Sequence, residues 1–219
     1  MDRKEIKELA KTKVKGNKWN IWWPLLLVSF VQNIVERIFG ISMFDYSFDF
    51  ENMENFANFK FNVGGTILSL IIAVVFGIVT IAYKKYVLNI VRGEKFEFND
   101  IINCIKNRWS DILLVEVIMG VIIYLCSLVF VIPGIIMALA YAMAAYLVVD
   151  TELGFKDALK QSREMMKGYK WNYFVFGLSF IGWILLTPFT LGILIIWLMP
   201  YMVIADALYY DKLKEITKR

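Results

Sequence analysis

The chain has 219 residues, 59% of them apolar and 20% charged, with mean hydropathy +0.58 and a formal net charge of +4. A soluble domain is about 45–50% apolar, and a globule of this size has too much surface to hide 17 Phe, 11 Tyr and 7 Trp. The composition therefore excludes an ordinary soluble domain in favour of a multi-pass membrane protein, and zero His excludes imidazole as metal ligand, general base or pH switch.

The polar N-terminal segment does not read as a secretory signal, because no small-residue cleavage site follows its first apolar run. Ile6, Leu9, Ala10 and Val14 recur at helical spacing, with Lys4, Lys7, Lys11 and Lys15 on another side. This predicts a basic amphipathic helix that lies in the membrane interface or packs on the end of a bundle. It ends in the phrase KGNKWN at 15–20.

A bilayer-crossing helix needs about 20 mostly apolar residues. Six stretches are candidate spans in chain order: Ile21–Gly40, Val63–Tyr83, Asp111–Ile132, Pro133–Val149, Tyr173–Thr187 and Leu191–Tyr210, the fourth and fifth being short and reaching the length only with their interfacial flanks. The expected fold is all-α, with six transmembrane helices as three hairpins and basic interfacial helices between them. The whole chain 1–219 reads as one membrane domain. Residues 1–83 make the first helix-plus-hairpin unit, 84–149 the second and 150–219 the third.

In span one, Ser29, Gln32, Asn33 and Glu36 share one face. They read as interhelical hydrogen bonding or as an outer polar site. The segment 41–62 is acidic and aromatic. It alternates at Phe44, Tyr46, Phe48 and Phe50, which points to a flap on the outer headgroups or a lip for a peptide or lipid. Span two carries Gly65, Ser69, Ala73 and Gly77, and span four Gly134, Ala138 and Ala142. Small residues at every fourth position allow close helix packing, within the chain or between copies in a homo-oligomer.

The segment 98–110 contains Ile101, Ile105 and Trp109 four apart and ends in IKNRWS, a weaker form of the first phrase. Val131-Ile132-Pro133-Gly134 predicts a tight turn between spans three and four, and Thr187-Pro188-Phe189-Thr190 another between five and six. Residues 155–167 form a third basic helix, which runs into KGYKWN at 167–172. Trp19, Trp109 and Trp171 thus read as interfacial anchors at one membrane level. Pro200 is expected to bend span six.

Twenty-two of the 24 Lys and Arg lie in the N-tail, in 84–110, in 150–172 and in the C-tail; only Arg37 and Lys60 do not. By the positive-inside rule both termini are cytoplasmic, and the basic segments face anionic headgroups. Positive charge spread along membrane-proximal segments is not the footprint of nucleic-acid binding.

Intramembrane charges are costly and are candidate sites by default. Glu116 and Asp206 lie at similar depth on the cytosolic side. They read as a cation or proton site, or as partners for Lys84 or Lys85 reaching in from the end of span two. Cys104 and Cys126 are not spaced for metal and are not expected to form a disulfide. No P-loop, nucleophile elbow or HExxH is present. No cofactor or metal is implied, and no enzyme is expected.

The stretches ending KGNKW, VIPGIIMALAYAMAAYLVVD at 131–150, DALKQSREMMKGYKWNYFVFGLSFIGWILL at 157–186 and LGILIIWLMPYMVIADALYYDKL at 191–213 together carry a resemblance. The chain resembles an integral membrane protein family of Gram-positive bacteria, domain-of-unknown-function family 975. The resemblance implies a bacterial plasma membrane location and several spans. It implies no activity and transfers no catalytic residue. The leading expectation is a non-enzymatic interaction or accessory component of the membrane. A small transporter or channel using Glu116 and Asp206 is the alternative, and a lipid-acting enzyme the third.

Overall fold

The computed structural model describes residues 2–38, 44–48, 57–61, 63–94, 98–190 and 194–217. They divide into two compact units, one comprising 1–22 with 78–219 and the other 23–77.

Eight α-helices are described: α1 (Arg3–Ile38), α2 (Val63–Arg92), α3 (Phe98–Val129), α4 (Val131–Tyr141), α5 (Ala144–Asp150), α6 (Phe155–Met165), α7 (Lys170–Leu186) and α8 (Ile195–Thr217). Among the described residues, four runs are long and apolar enough to cross a membrane: Ile67–Arg92, Ile101–Leu128, Val131–Asp150 and Lys170–Thr190. These overlap the second to fifth expected spans, with ends that differ by up to ten residues. Where the first span was expected, the described residues hold only a shorter apolar helix, Trp19–Val28. The last lies on α8, where Asp206, Asp211 and Lys212 follow the apolar run.

The unit 23–77 holds two short strands, β1 (Phe44–Phe48) and β2 (Ala57–Phe61). They pair antiparallel, with Phe44 opposite Phe61 and Phe48 opposite Ala57. The alternation at Phe44, Tyr46 and Phe48 is the two-residue period of β1, so the helical reading of the chain is interrupted here by a hairpin. Phe50 lies outside the described residues.

Within the larger unit, α3 packs against α4 and α5, α6 against α3, α4 and α5, and α7 against α4 and α8. The join between α3 and α4 is the single extended residue Phe130. Pro133 then falls in the first turn of α4, where its missing N–H would have had no helical partner. Gly134 is buried there, and a Cβ built on it would lie 3.2 Å from the Cα of Ser127 and closer still to its hydroxyl. Glycine thus sets how closely α4 approaches α3.

Each of the three related phrases contains a break in the helix. In KGNKWN it is Asn17 (φ −126°, ψ 16°), and in IKNRWS it is Arg108 (φ −133°, ψ 19°). In KGYKWN the break is complete. A turn over 166–169 separates α6 from α7, and Gly168 takes φ +87°, a left-handed conformation that favours glycine. Gly16 is not the residue that bends in the first copy; its neighbour Asn17 is. Trp19, Trp109 and Trp171 follow the breaks and are all exposed. Of the apolar face expected in the first helix, Ile6, Ala10 and Val14 are buried and Leu9 is exposed; on α6, Ala158, Ser162 and Met165 are buried. Between them, Ile101 is buried but Trp109 is not.

Candidate functional site

The polar side chains of the larger unit concentrate where α2, α5 and α8 meet. On α5, Tyr146 and Asp150 are one turn apart. On α8, Asp206, Tyr210 and Lys214 lie one turn apart in succession, so each set occupies one helical face. The two faces exchange tyrosine–carboxylate hydrogen bonds. Tyr146 donates to Asp206 at 2.8 Å and Tyr210 donates to Asp150 at 2.9 Å. The two tyrosine rings stack with centroids 5.0 Å apart. Because partner numbers ascend together, α5 and α8 run in the same direction along this contact.

Asp206 also accepts from Tyr173 of α7 at 2.6 Å and pairs with Lys84 of α2 at 3.6 Å. The Lys84 ammonium lies 4.1 Å from the centre of the Tyr146 ring, so its charge meets both a carboxylate and an aromatic face. The same Lys84 charge acts on Glu116. Of the two basic residues expected as partners, Lys84 is the one on Asp206, while Lys85 pairs with Asp150.

The second carboxylate cluster was not legible in advance. The Asp150 side chain is 2% exposed and meets three cations. Arg92 donates to both of its oxygens, with Nη2 at 3.0 Å from Oδ2. Lys85 pairs at 3.7 Å, and Lys214 also bonds Oδ2. Arg92 spans from Asp150 to Asp211 of α8, donating to the latter at 2.6 and 3.3 Å. A planar guanidinium suits such two-sided bridging. The signal was the mirrored spacing of Tyr146–Asp150 and Asp206–Tyr210, but Asp150 reads in sequence as the first residue of a polar loop.

Next to this cluster, Arg108 donates to the carbonyls of Thr151 and Leu153, and Asp111 accepts from the Phe155 N–H at 3.1 Å. The start of the apolar part of α3 is thereby tied to the connection that follows α5.

Of two cavities among the described residues, one reaches the cluster. That one, of about 700 Å³, lies among α4, α7 and α8 and has Tyr173 and Asp206 in its wall. The other, of about 410 Å³, is lined by Lys4, Lys7 and Lys11 of α1 together with Trp183 and Trp197. The Lys7 ammonium donates to the Ser179 carbonyl at 3.4 Å and sits 4.6 Å from the Phe180 ring centre. Partial burial, helped by the like charges of Lys11 and Arg3, pulls its pKa below the ordinary lysine value.

The side chains of Gln32, Asn33 and Glu36 lie outside the described residues. Among the described residues no three His, Cys, Asp or Glu side chains converge as a metal site. Cys104 and Cys126 are both free thiols.

The chain matches the family described as "Protein of unknown function (DUF975)" over residues 1–137 and 121–217. It belongs to that family. No curated protein and no solved structure matches it. The family resemblance carried by the two Lys-Gly phrases and the VIPGII turn is therefore confirmed over nearly the whole chain. The apolar helices of this DUF975 member are compatible with a membrane protein.

Proposed function

We propose that this DUF975 member is a non-enzymatic accessory or binding component of the bacterial plasma membrane. It would cross the bilayer six times as three hairpins, with both termini in the cytoplasm. The convergence of α2, α5 and α8 on the Asp150 cluster supports this topology, because it brings the ends of spans two, four and six to one side. The start of α3 reaches the same side through Arg108 and Asp111. That side then holds the basic segments, which face anionic headgroups. A protein partner or a second copy of the chain would engage the protein through these segments or the outer hairpin.

The observation that favours binding over transport is how firmly the Asp206 carboxylate is held. Lys84 pairs with Asp206, and two tyrosine hydroxyls hold that carboxylate in place. An ion pathway needs groups that can release what they bind. A transporter or channel remains the second reading, motivated by the cavity that reaches Asp206.

The test is reconstitution in liposomes with imposed proton, sodium and potassium gradients. The accessory reading expects no flux above protein-free vesicles, together with reproducible co-purification of a partner from native membrane. Flux that disappears in Glu116→Ala and Asp206→Ala would replace it with transport.

A further inference from the structure

The cavity among α4, α7 and α8 has a composition that specifies a ligand. Its volume, about 700 Å³, falls within the range of about 300–1,000 Å³ typical of small-molecule sites. Apart from Asp206, none of its described lining residues is charged, and the wall is otherwise almost wholly aliphatic and aromatic. On α8 the lining runs from Ile195 to Asp206, 11 residues (206 − 195) and so a rise of about 16 Å. That is about half of a hydrocarbon core of about 30 Å, the length of one alkyl chain of a single leaflet.

Gly177 of α7 lies in the wall, and a Cβ built on it meets nothing within 4 Å. This glycine therefore does not serve a close helix contact, unlike Gly134. It leaves width in the cavity.

The polar end is unsaturated. An ionised carboxylate offers about four acceptor positions. Tyr146 and Tyr173 each fill one on Asp206, while Lys84 at 3.6 Å is an ion-pair partner beyond hydrogen-bond length. The Asp206 side chain keeps 26% of its surface exposed, and it lines the cavity. Charge points the same way. Among the described residues of the wall Asp206 is the one charged side chain, and Lys84 is not part of that wall. A carboxylate or phosphate head would be repelled by Asp206, whereas an ammonium would supply the missing donors as charge-assisted hydrogen bonds.

We propose that this cavity binds a single-chain amphiphile with a protonated amine head, the ammonium donating to Asp206 and the chain lying along α8 toward Ile195. The inference goes beyond the accessory role proposed above and holds whether or not a protein partner exists.

The experiment is native mass spectrometry of the full chain in a neutral detergent, titrated with dodecylamine, dodecanol and dodecanoate. Dodecylamine should bind at least about ten-fold more tightly than dodecanol, the scale of one charge-assisted hydrogen bond, and dodecanoate more weakly than either. Gly177→Leu places a side chain in the open space, favours the helix and should weaken dodecylamine binding by about ten-fold or more. Asp206→Asn should remove the advantage of the amine over the alcohol. Equal binding of the three probes overturns the proposal. So does dodecylamine binding that Gly177→Leu leaves unchanged, which keeps the test decisive even if Asp206→Asn fails to fold. Displacement of dodecylamine by phosphatidylethanolamine but not phosphatidylcholine would assign the cavity to a diacyl lipid and overturn the single-chain occupant.

Discussion

The indole Nε1–H of Trp22 donates to the Ile196 carbonyl at 2.5 Å, and Ile196 stands four residues before Pro200 in α8. Proline has no N–H, so this carbonyl lacks its helical donor, and Trp22 supplies one from α1. The same arrangement recurs. Pro24 of α1 leaves the Asn20 carbonyl without its donor, and the Tyr86 hydroxyl fills it at 3.1 Å. An unsatisfied backbone group in a bilayer costs several kcal/mol, so each proline is coupled to one donor on a neighbouring helix. Trp22→Phe should destabilise the folded protein by about 1–3 kcal/mol. Pro200→Ala restores an N–H at position 200, and in that background the cost of Trp22→Phe should fall by about 1 kcal/mol or more. A double-mutant cycle by denaturant titration in micelles reads this coupling, and additive effects would show that Trp22 acts by volume alone.

The Asp150 cluster should respond differently to each partner's loss. Removing the carboxylate leaves Arg92, Lys85 and Lys214 facing one another in a site with little water. Breaking a buried pair by deleting one member costs about 3–5 kcal/mol, so Asp150→Ala should fall in that range. Lys85→Ala should cost less than about 1 kcal/mol, because its 3.7 Å contact is the longest of the three and its side chain is 30% exposed. Arg92→Met should lie between, since it releases Asp211 as well. Midpoints of chemical unfolding order the three variants, and equal effects of Asp150→Ala and Lys85→Ala would remove the network as a stabilising unit.

What was legible in the sequence follows from how locally each signal is encoded. The break phrases were readable because Lys/Arg, Gly or Asn and Trp fall within six residues, and all three contain the helix interruption at Asn17, Arg108 or Gly168. The approach of Lys84 to Asp206 was readable because depth can be counted along each helix from its basic end. The Asp150 cluster was not, because it depends on which face of α5 meets which face of α8. Periodicity gives a helix its faces without naming the neighbour. The proline–donor pairs fail for the same reason: Pro200 announces a free carbonyl, but Trp22 lies 174 residues from Ile196. The strand pairing of 44–48 with 57–61 was half legible, as alternation in the first strand without its partner.

Gly134 separates packing from mere helix breaking. Because a Cβ there meets the Ser127 backbone and side chain at once, relief requires α4 to move away from α3. Gly134→Leu should cost about 1–3 kcal/mol as overpacking, even though leucine is the better helix former. Ser127→Gly removes the hydroxyl and Cβ on the other side and should recover part of the loss. Unfolding midpoints of the two single variants and the double variant measure this. A stabilising Gly134→Leu would mean that α3 and α4 do not approach at this point.

Lys7 provides a pH-dependent readout of where α1 lies. Its pKa is lowered, first by burial against α7 and α8 and then by Lys11 and Arg3. The folded value lies below the unfolded one, about 10.4, so the charged form is penalised in the folded state. That penalty is fully present below the folded pKa and is relieved as pH rises from the folded toward the unfolded value. Acylation requires the neutral amine, so Lys7 in the folded protein should label at lower pH than Lys7 in denatured chain. Lys11→Gln removes one like charge and should move the folded midpoint upward part of the way, leaving the burial contribution. Peptide-resolved mass spectrometry after brief acylation across pH 8–11 (roughly the window set by the free-amine value) follows both midpoints. Coincident folded and denatured curves at Lys7 would place its ammonium in water, away from Ser179 and Phe180.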